Sequence, residues 1–122
     1  MNEKTAKDEL STEIERRNFS RAAFLAASLD LPEQELQDLR VKALWQMAAV
    51  NRNASGTKSL AQQYGLSKQE IRDILERHAE EKRNAGDTKP LEPCYDLNTG
   101  NHLSFEEWMY HFLKRWEKVP VS

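Results

Sequence analysis

The tightest constraint on how this chain can fold lies at Tyr64-Gly65-Leu66-Ser67, four residues that close one helix and open another. Gly65 stands where the backbone must pass through the left-handed region, which a residue without Cβ enters freely. Ser67 and Glu70 have the spacing of a capping box, and Leu66 and Ile71 flank it as a hydrophobic staple. This predicts a short helix over 57–64, a turn at Gly65, and a long helix from Lys68 to Arg83. Leu60, Tyr64, Leu66, Ile71 and Ile74 supply the apolar positions that hold two helices across a tight turn, and Ala61 is small where they approach.

The rest of the sequence reads as all-α, with two helical hairpins, a C-terminal amphipathic helix and one small β-hairpin at 94–103. A length of 122 residues suits a single domain over 1–122. Residues 1–10 are polar and expected to fray. Thr12 with Glu15 opens a short helix that carries Ile14 toward Phe19. The first hairpin spans 20–50: an Ala- and Leu-rich helix over Ser20 to Leu29, a break at Asp30-Leu31, and a second helix begun at Pro32, a residue suited to the first turn. Leu36, Leu39, Ala43 or Leu44, Met47 and Val50 form its apolar stripe, with Trp45 at the border and assigned to the core. Turn formers fill 51–56, and 84–93, with two Pro and one Gly, reads as a linker loop. Asn98-Thr99-Gly100-Asn101 is a turn signal between Tyr95, Leu97 and Leu103. Ser104 with Glu107 forms a second capping box ahead of a helix whose Phe105, Trp108, Met109, Phe112 and Trp116 share one face. So dense an aromatic face is expected to be buried within the chain, the rival being a contact between two copies.

Composition narrows the function classes. No stretch approaches the roughly 20 apolar residues that span a bilayer, and the first ten residues lack the apolar core of a secretory signal. The expectation is a cytoplasmic chain with no membrane partner. Cys94 is the single cysteine, so no internal disulfide forms. The net charge is −2, yet residues 1–39 carry nine acids and five bases whereas 40–83 carry nine bases and five acids. The middle of the chain is the part suited to an anionic partner.

The segment from Thr57 to Arg77 resembles the helix-turn-helix of bacterial transcription factors, on Leu60, Ala61, Tyr64, Gly65, Leu66, Ile71 and Ile74 together. What the resemblance implies is binding of double-stranded DNA by a transcriptional regulator, with the second helix in the major groove. Carried over position by position, the base readers would be Lys68, Gln69 and Arg72, since Gln pairs bidentately with adenine and Lys or Arg with guanine. Arg52, Thr57, Lys58 and Ser67 would hold phosphate. Asp73 and Glu76 depart from this pattern, although Arg72 with Glu76 and Asp73 with Arg77 are spaced for i,i+4 pairs. Such proteins usually bind symmetric sites, which would make the chain a homodimer.

An internal repeat lies beneath the motif. Shifting the chain by 35 residues lays Leu25, Ala26, Leu31, Gln34, Glu35 and Asp38 on the identical Leu60, Ala61, Leu66, Gln69, Glu70 and Asp73. This suggests a duplicated unit, although two amphipathic hairpins also share an apolar pattern by chance. The first copy has Pro32, Glu33 and Gln37 where the second has Ser67, Lys68 and Arg72, so its helix start is acidic and should repel phosphate. The acidic hairpin 20–50 is therefore the surface expected to buttress the second copy or to meet a protein partner. From this comes a rival reading of the whole chain, a helical adaptor without DNA affinity.

Two weaker patterns remain. Asp96 to Glu107 resembles an EF-hand loop at Asp96, Asn98, Ser104 and Glu107, but Gly100 and Asn101 depart from it, Pro90 and Pro93 leave no room for an entering helix, and Glu107 is already a capping residue. Cys94, His102 and His111 share no established metal-ligand spacing. No nucleophile-base set, Gly-rich phosphate loop or carboxylate pair stands out, so no enzyme, cofactor or metal is expected.

Overall fold

The computed structural model describes residues 3–121, and in it α-helix dominates, with one two-stranded sheet. The helices are α1 (Glu3–Glu15), α2 (Phe19–Ser28), α3 (Glu33–Trp45), α4 (Ala54–Gln63), α5 (Lys68–Asn84) and α6 (Phe105–Lys114). The strands are β1 (Cys94–Asp96) and β2 (Asn101–Leu103), antiparallel with Cys94 opposite Leu103 and Asp96 opposite Asn101. Where the sequence reading expects one domain, the contacts gather into two compact units, Met1–Gln46 and Met47–Ser122.

In the first unit α2 packs on both α1 and α3. Ala22, Ala23 and Ala26 are buried on α2, and their small side chains let neighbouring helices approach closely. The expected frayed start is helical from Glu3, and its first two residues lie outside those described. Thr12 opens no helix: it sits inside α1, where its hydroxyl donates to the Asp8 carbonyl at 3.0 Å. A side chain that satisfies a carbonyl four residues back has no role as an N-cap. Trp45 is buried as expected, whereas Val50 is 58% exposed. The cause is a π-helical turn over Gln46–Val50, whose wider winding rotates the stripe away from its α-helical register.

The second unit begins with the turn that the sequence marks most strongly. Gly65 takes φ +72°, its N–H donates to the Gln62 carbonyl at 3.1 Å, and the Leu66 N–H donates to the Ala61 carbonyl at 2.8 Å. These are the two bonds of a Schellman closure. The Ser67–Glu70 capping box then opens α5, and Ile71, Leu75 and Ala79 bury one face of it. Two boundaries differ from expectation. Asn53 caps α4 by accepting from the Gly56 amide at 2.9 Å, so Ala54, Ser55 and Gly56 are its first turn rather than a loop. A Cβ at Gly56 would stand 2.6 Å from the Met47 sulfur and 2.9 Å from the Asn53 side-chain nitrogen, so a larger residue there makes those side chains shift. The supposed linker at 84–93 completes α5 and then forms a 3₁₀ turn at Lys89–Leu91 that buries Leu91.

After the small sheet, the Ser104–Glu107 capping box opens α6 as expected. Its aromatic face is buried within the chain: Phe105 stacks on Trp108 at 6.2 Å, Trp108 on Phe112 at 5.1 Å, and Phe112 meets Trp116 edge-on at 5.4 Å. Such offset and edge contacts suit the quadrupoles of the rings.

The 35-residue repeat is matched in the backbone at its helix starts and at its left-handed residues. Both α2 and α4 have ten residues and begin 35 apart, and α3, of 13 residues, begins 35 before α5, of 17. Left-handed backbone recurs at Arg17 and Arg52, and again at Asp30 and Gly65, with Asn18 and Asn53 as matching N-cap residues. Chance sharing of an apolar pattern does not place two left-handed residues at the same offset.

The capping boxes make α5 and α6 acid-sensitive. Backbone and hydroxyl bonds from Ser67 and Ser104 hold the Glu70 and Glu107 carboxyls below their ordinary pKa. A depressed folded-state pKa contributes stability that is complete above the unfolded value and lost as pH falls through the folded one. Glu70→Gln with Glu107→Gln keeps the box geometry without the charge, so its thermal midpoint should fall less than the wild type's as pH drops below about 4. Parallel acid titrations of the two proteins, followed by circular dichroism melts, check this.

Candidate nucleic-acid interface

The residues proposed from sequence to read bases are all exposed on the first turns of α5. Lys68 and Gln69 occupy its first turn and Arg72 the second, a set fixed in direction by the Gly65 turn and the Ser67 cap. Gln69 donates to Asp73 at 2.9 Å and Arg72 to Glu76 at 3.0 Å. The Arg72–Glu76 pair is the one expected, while Asp73 is taken by Gln69. Both pairs are exposed, and the Arg72 side chain keeps 54% of its surface in solvent. Exposed i,i+4 pairs are worth only a few tenths of a kcal/mol, about 0.3–0.5, so either side chain can exchange its partner for another.

Lys68, Gln69 and Arg72 border a groove of about 770 Å³ between α5 and α6. Its floor is Ala79, Met109 and Leu113, and Tyr110 and Lys114 stand on the opposite wall. Lys114 lies 5.7 Å from the Tyr110 ring centre. Farther along α5, Arg83 pairs with Glu80 at 2.9 Å and with Glu106 at the start of α6. The groove thus carries Lys68, Arg72 and Lys114 together with the carboxylates of Glu76, Glu80 and Glu106.

The phosphate-holding set is corrected by the structure. Thr57 is fully buried, and its hydroxyl donates to the Asn53 carbonyl at 2.7 Å. Lys58 is only 7% exposed. Its ammonium donates to the carbonyls of Trp116 at 2.7 Å and Val119 at 2.9 Å, and lies 5.5 Å from the Trp116 ring centre. Arg52 donates to four carbonyls, those of Ala49, Leu103, Pro90 and Glu92, at 3.0–3.2 Å. Burial lowers its pKa from the ordinary guanidinium value, against the opposing fields of Cys94, Glu106 and Asp96. Ser67 commits its amide and an oxygen lone pair to the capping box. Arg52, Thr57 and Lys58 therefore donate to backbone carbonyls, and Ser67 accepts from a backbone amide. Because α4 starts at Ala54, Thr57 sits a turn inside the helix, where the Asn53 carbonyl already takes its amide.

The weaker patterns also resolve. The Glu107 carboxylate accepts from the Ser104 amide at 2.9 Å, and Asp96 accepts from the Thr99 amide at 2.8 Å across the hairpin turn. Cys94 pairs with Leu103 and His102 with Tyr95, which puts the thiol and the imidazole on opposite faces of the sheet. No group of metal-ligating side chains occurs among the described residues, and no helix among them is long and apolar enough to cross a membrane. No family model, curated protein or solved structure matches this chain.

Lys58 is the member of the predicted set whose role changes most. Lys58→Met keeps the aliphatic packing and leaves two carbonyls without their charged donor, so it should destabilise the fold by about 2–4 kcal/mol. Lys68→Met, on an exposed helix surface, should stay within about 0.5 kcal/mol of wild type. Urea unfolding of both variants checks the contrast, and equal midpoints would return Lys58 to the solvent-facing role.

Proposed function

We propose that this chain binds double-stranded DNA as a transcriptional regulator, with the first two turns of α5 directed into the major groove. The observation that carries the reading is the joint exposure of Lys68, Gln69 and Arg72 beyond a turn fixed by Gly65 and the Ser67 cap. That arrangement presents a bidentate amide and two cations on consecutive turns, the chemistry that reads adenine and guanine edges. Arg72 is not walled off by α6, as it would be if this face served only the core. The weak, exposed pairs to Asp73 and Glu76 orient Gln69 and Arg72 without locking them.

A second reading rests on the groove between α5 and α6. Its apolar floor of Ala79, Met109 and Leu113, bordered by charges of both signs, suits a helical protein partner better than a polyanion. This is the adaptor function, without DNA affinity.

Anisotropy titration of a labelled random duplex at 50 and 200 mM salt separates the two. DNA binding predicts an affinity that falls steeply between these salt levels, because bound cations release condensed counterions. Lys68→Ala with Arg72→Ala should then weaken binding at least tenfold, each bidentate base contact being worth about 1–3 kcal/mol. Absence of binding at the lower salt would favour the adaptor.

A further inference from the structure

A second concavity in the same unit, of about 330 Å³, lies between the start of α4, the turn of the β-hairpin and the C-terminal 3₁₀ turn Trp116–Lys118. Arg52, Arg115 and Lys118 all line it, with the polar side chains of Ser55 and Asn98. The one carboxylate among its lining residues is Asp96, which already accepts from the Thr99 amide. Three other cations of the unit meet carboxylates: Arg72 meets Glu76, Lys82 meets Asp87, and Arg83 meets Glu80 and Glu106. Arg115 and Lys118 have no such acid within ion-pair distance among the described residues. Three like charges line one small concavity against the single carboxylate of Asp96, and like charges repel one another. An anion placed among them removes that repulsion and receives charge-assisted hydrogen bonds.

The buried Lys58 explains how the cations come to be there. Its bonds to the Trp116 and Val119 carbonyls hold the chain segment on either side of Lys118 against α4. The side chain assigned from sequence to phosphate thus acts as a positioning residue, and the cations left facing solvent are Arg115 and Lys118.

We infer that this concavity is a phosphate-binding site, formed by Arg115 and Lys118 with Ser55 and Asn98 and backed by the charge of Arg52. The phosphate can belong to a DNA backbone or to a small phosphorylated ligand. Only the first source rests on the DNA-binding reading.

The test is a titration of the full-length, isotope-labelled chain with inorganic pyrophosphate at constant ionic strength, followed by amide chemical shifts. Saturating shifts are expected at Ser55, Asn98, Arg115 and Lys118, and Arg115→Gln with Lys118→Gln should weaken them at least tenfold. Both side chains are exposed, so the double variant should keep the wild-type spectrum elsewhere. Shifts that fail to saturate in the wild type, or that persist unchanged in the variant, overturn the site. Duplex binding by the same variant identifies the source. If pyrophosphate binds and the variant's salt slope on duplex DNA drops by about two, the site holds backbone phosphate. If pyrophosphate binds while the variant's duplex affinity is unchanged, the site stands for a free phosphorylated ligand. If pyrophosphate binds while the wild type binds no duplex at either salt, the site stands and the DNA-binding reading fails.

Discussion

The second unit is organised around the Arg52 guanidinium. Its donors reach the Ala49 carbonyl in the π-helical turn, the Pro90 carbonyl within the 3₁₀ turn at Lys89–Leu91, the Glu92 carbonyl just after it, and the carbonyl of Leu103 just before α6. Loop carbonyls that lose water need such partners, because an unsatisfied buried polar group costs about 1–3 kcal/mol. A planar group with five donors satisfies four of them at once, which a lysine in the same place could not do. The Arg52 backbone adopts φ +50° to aim that group, a conformation that costs a side-chain-bearing residue about 1–2 kcal/mol. The guanidinium also lies 5.7 Å from the centre of the Phe105 ring, at the head of the aromatic stack of α6. Loop, strand and helix are joined there by one side chain.

Lys58 repeats the device at the other end of α6. Its ammonium sits over the ring of Trp116, the last member of the aromatic stack, and takes the carbonyls that the chain exposes as it leaves the helix. Two cations drawn from the basic middle of the sequence are therefore spent as backbone donors. The count of nine bases against five acids in residues 40–83 overstates the charge available to a partner. Of the five cations on α5, Arg72 and Arg83 meet carboxylates of that helix and Lys82 meets Asp87, while Arg115 and Lys118 lie outside the basic segment altogether.

What was legible in the sequence was local. The Gly65 turn, the Ser67 and Ser104 caps and the aromatic face of α6 each depend on residues within a turn or two of one another, and all appear where the spacing puts them. The roles of Arg52 and Lys58 depend on partners 38 to 61 residues away, and no helical period encodes such a pairing. The start of α4 lies earlier than its sequence suggests because Asn, Ala, Ser and Gly read as turn formers, although Asn53 is an N-cap and Gly56 packs against Met47. Arg17, Asn18 and Ser20 recur 35 residues on as Arg52, Asn53 and Ser55, with Ala54 in the place of Phe19. This recurrence extends the repeat back to the left-handed arginine and the capping asparagine, and so would have placed the α4 boundary and singled out Arg52.

The repeat also explains why the two hairpins are not interchangeable. Their backbones share helix starts and left-handed positions, whereas their caps and the lengths of their second helices differ. Ala23 stands where the second copy has Lys58, so the first copy lacks the ammonium that α4 uses to hold a following segment. Asn18 makes no side-chain cap and instead donates to Glu13, whereas Asn53 caps α4. At the start of the second helix Glu33 stands opposite Lys68, and with Glu35 it places two acids in the first turn of α3, favoured there by the helix dipole but repellent to phosphate. The first copy thus keeps the features that shape a hairpin and lacks those that would let it approach a polyanion. Any DNA contact must then be sought on the second copy, where Lys68, Gln69 and Arg72 face solvent and Lys58 anchors the segment bearing Arg115 and Lys118.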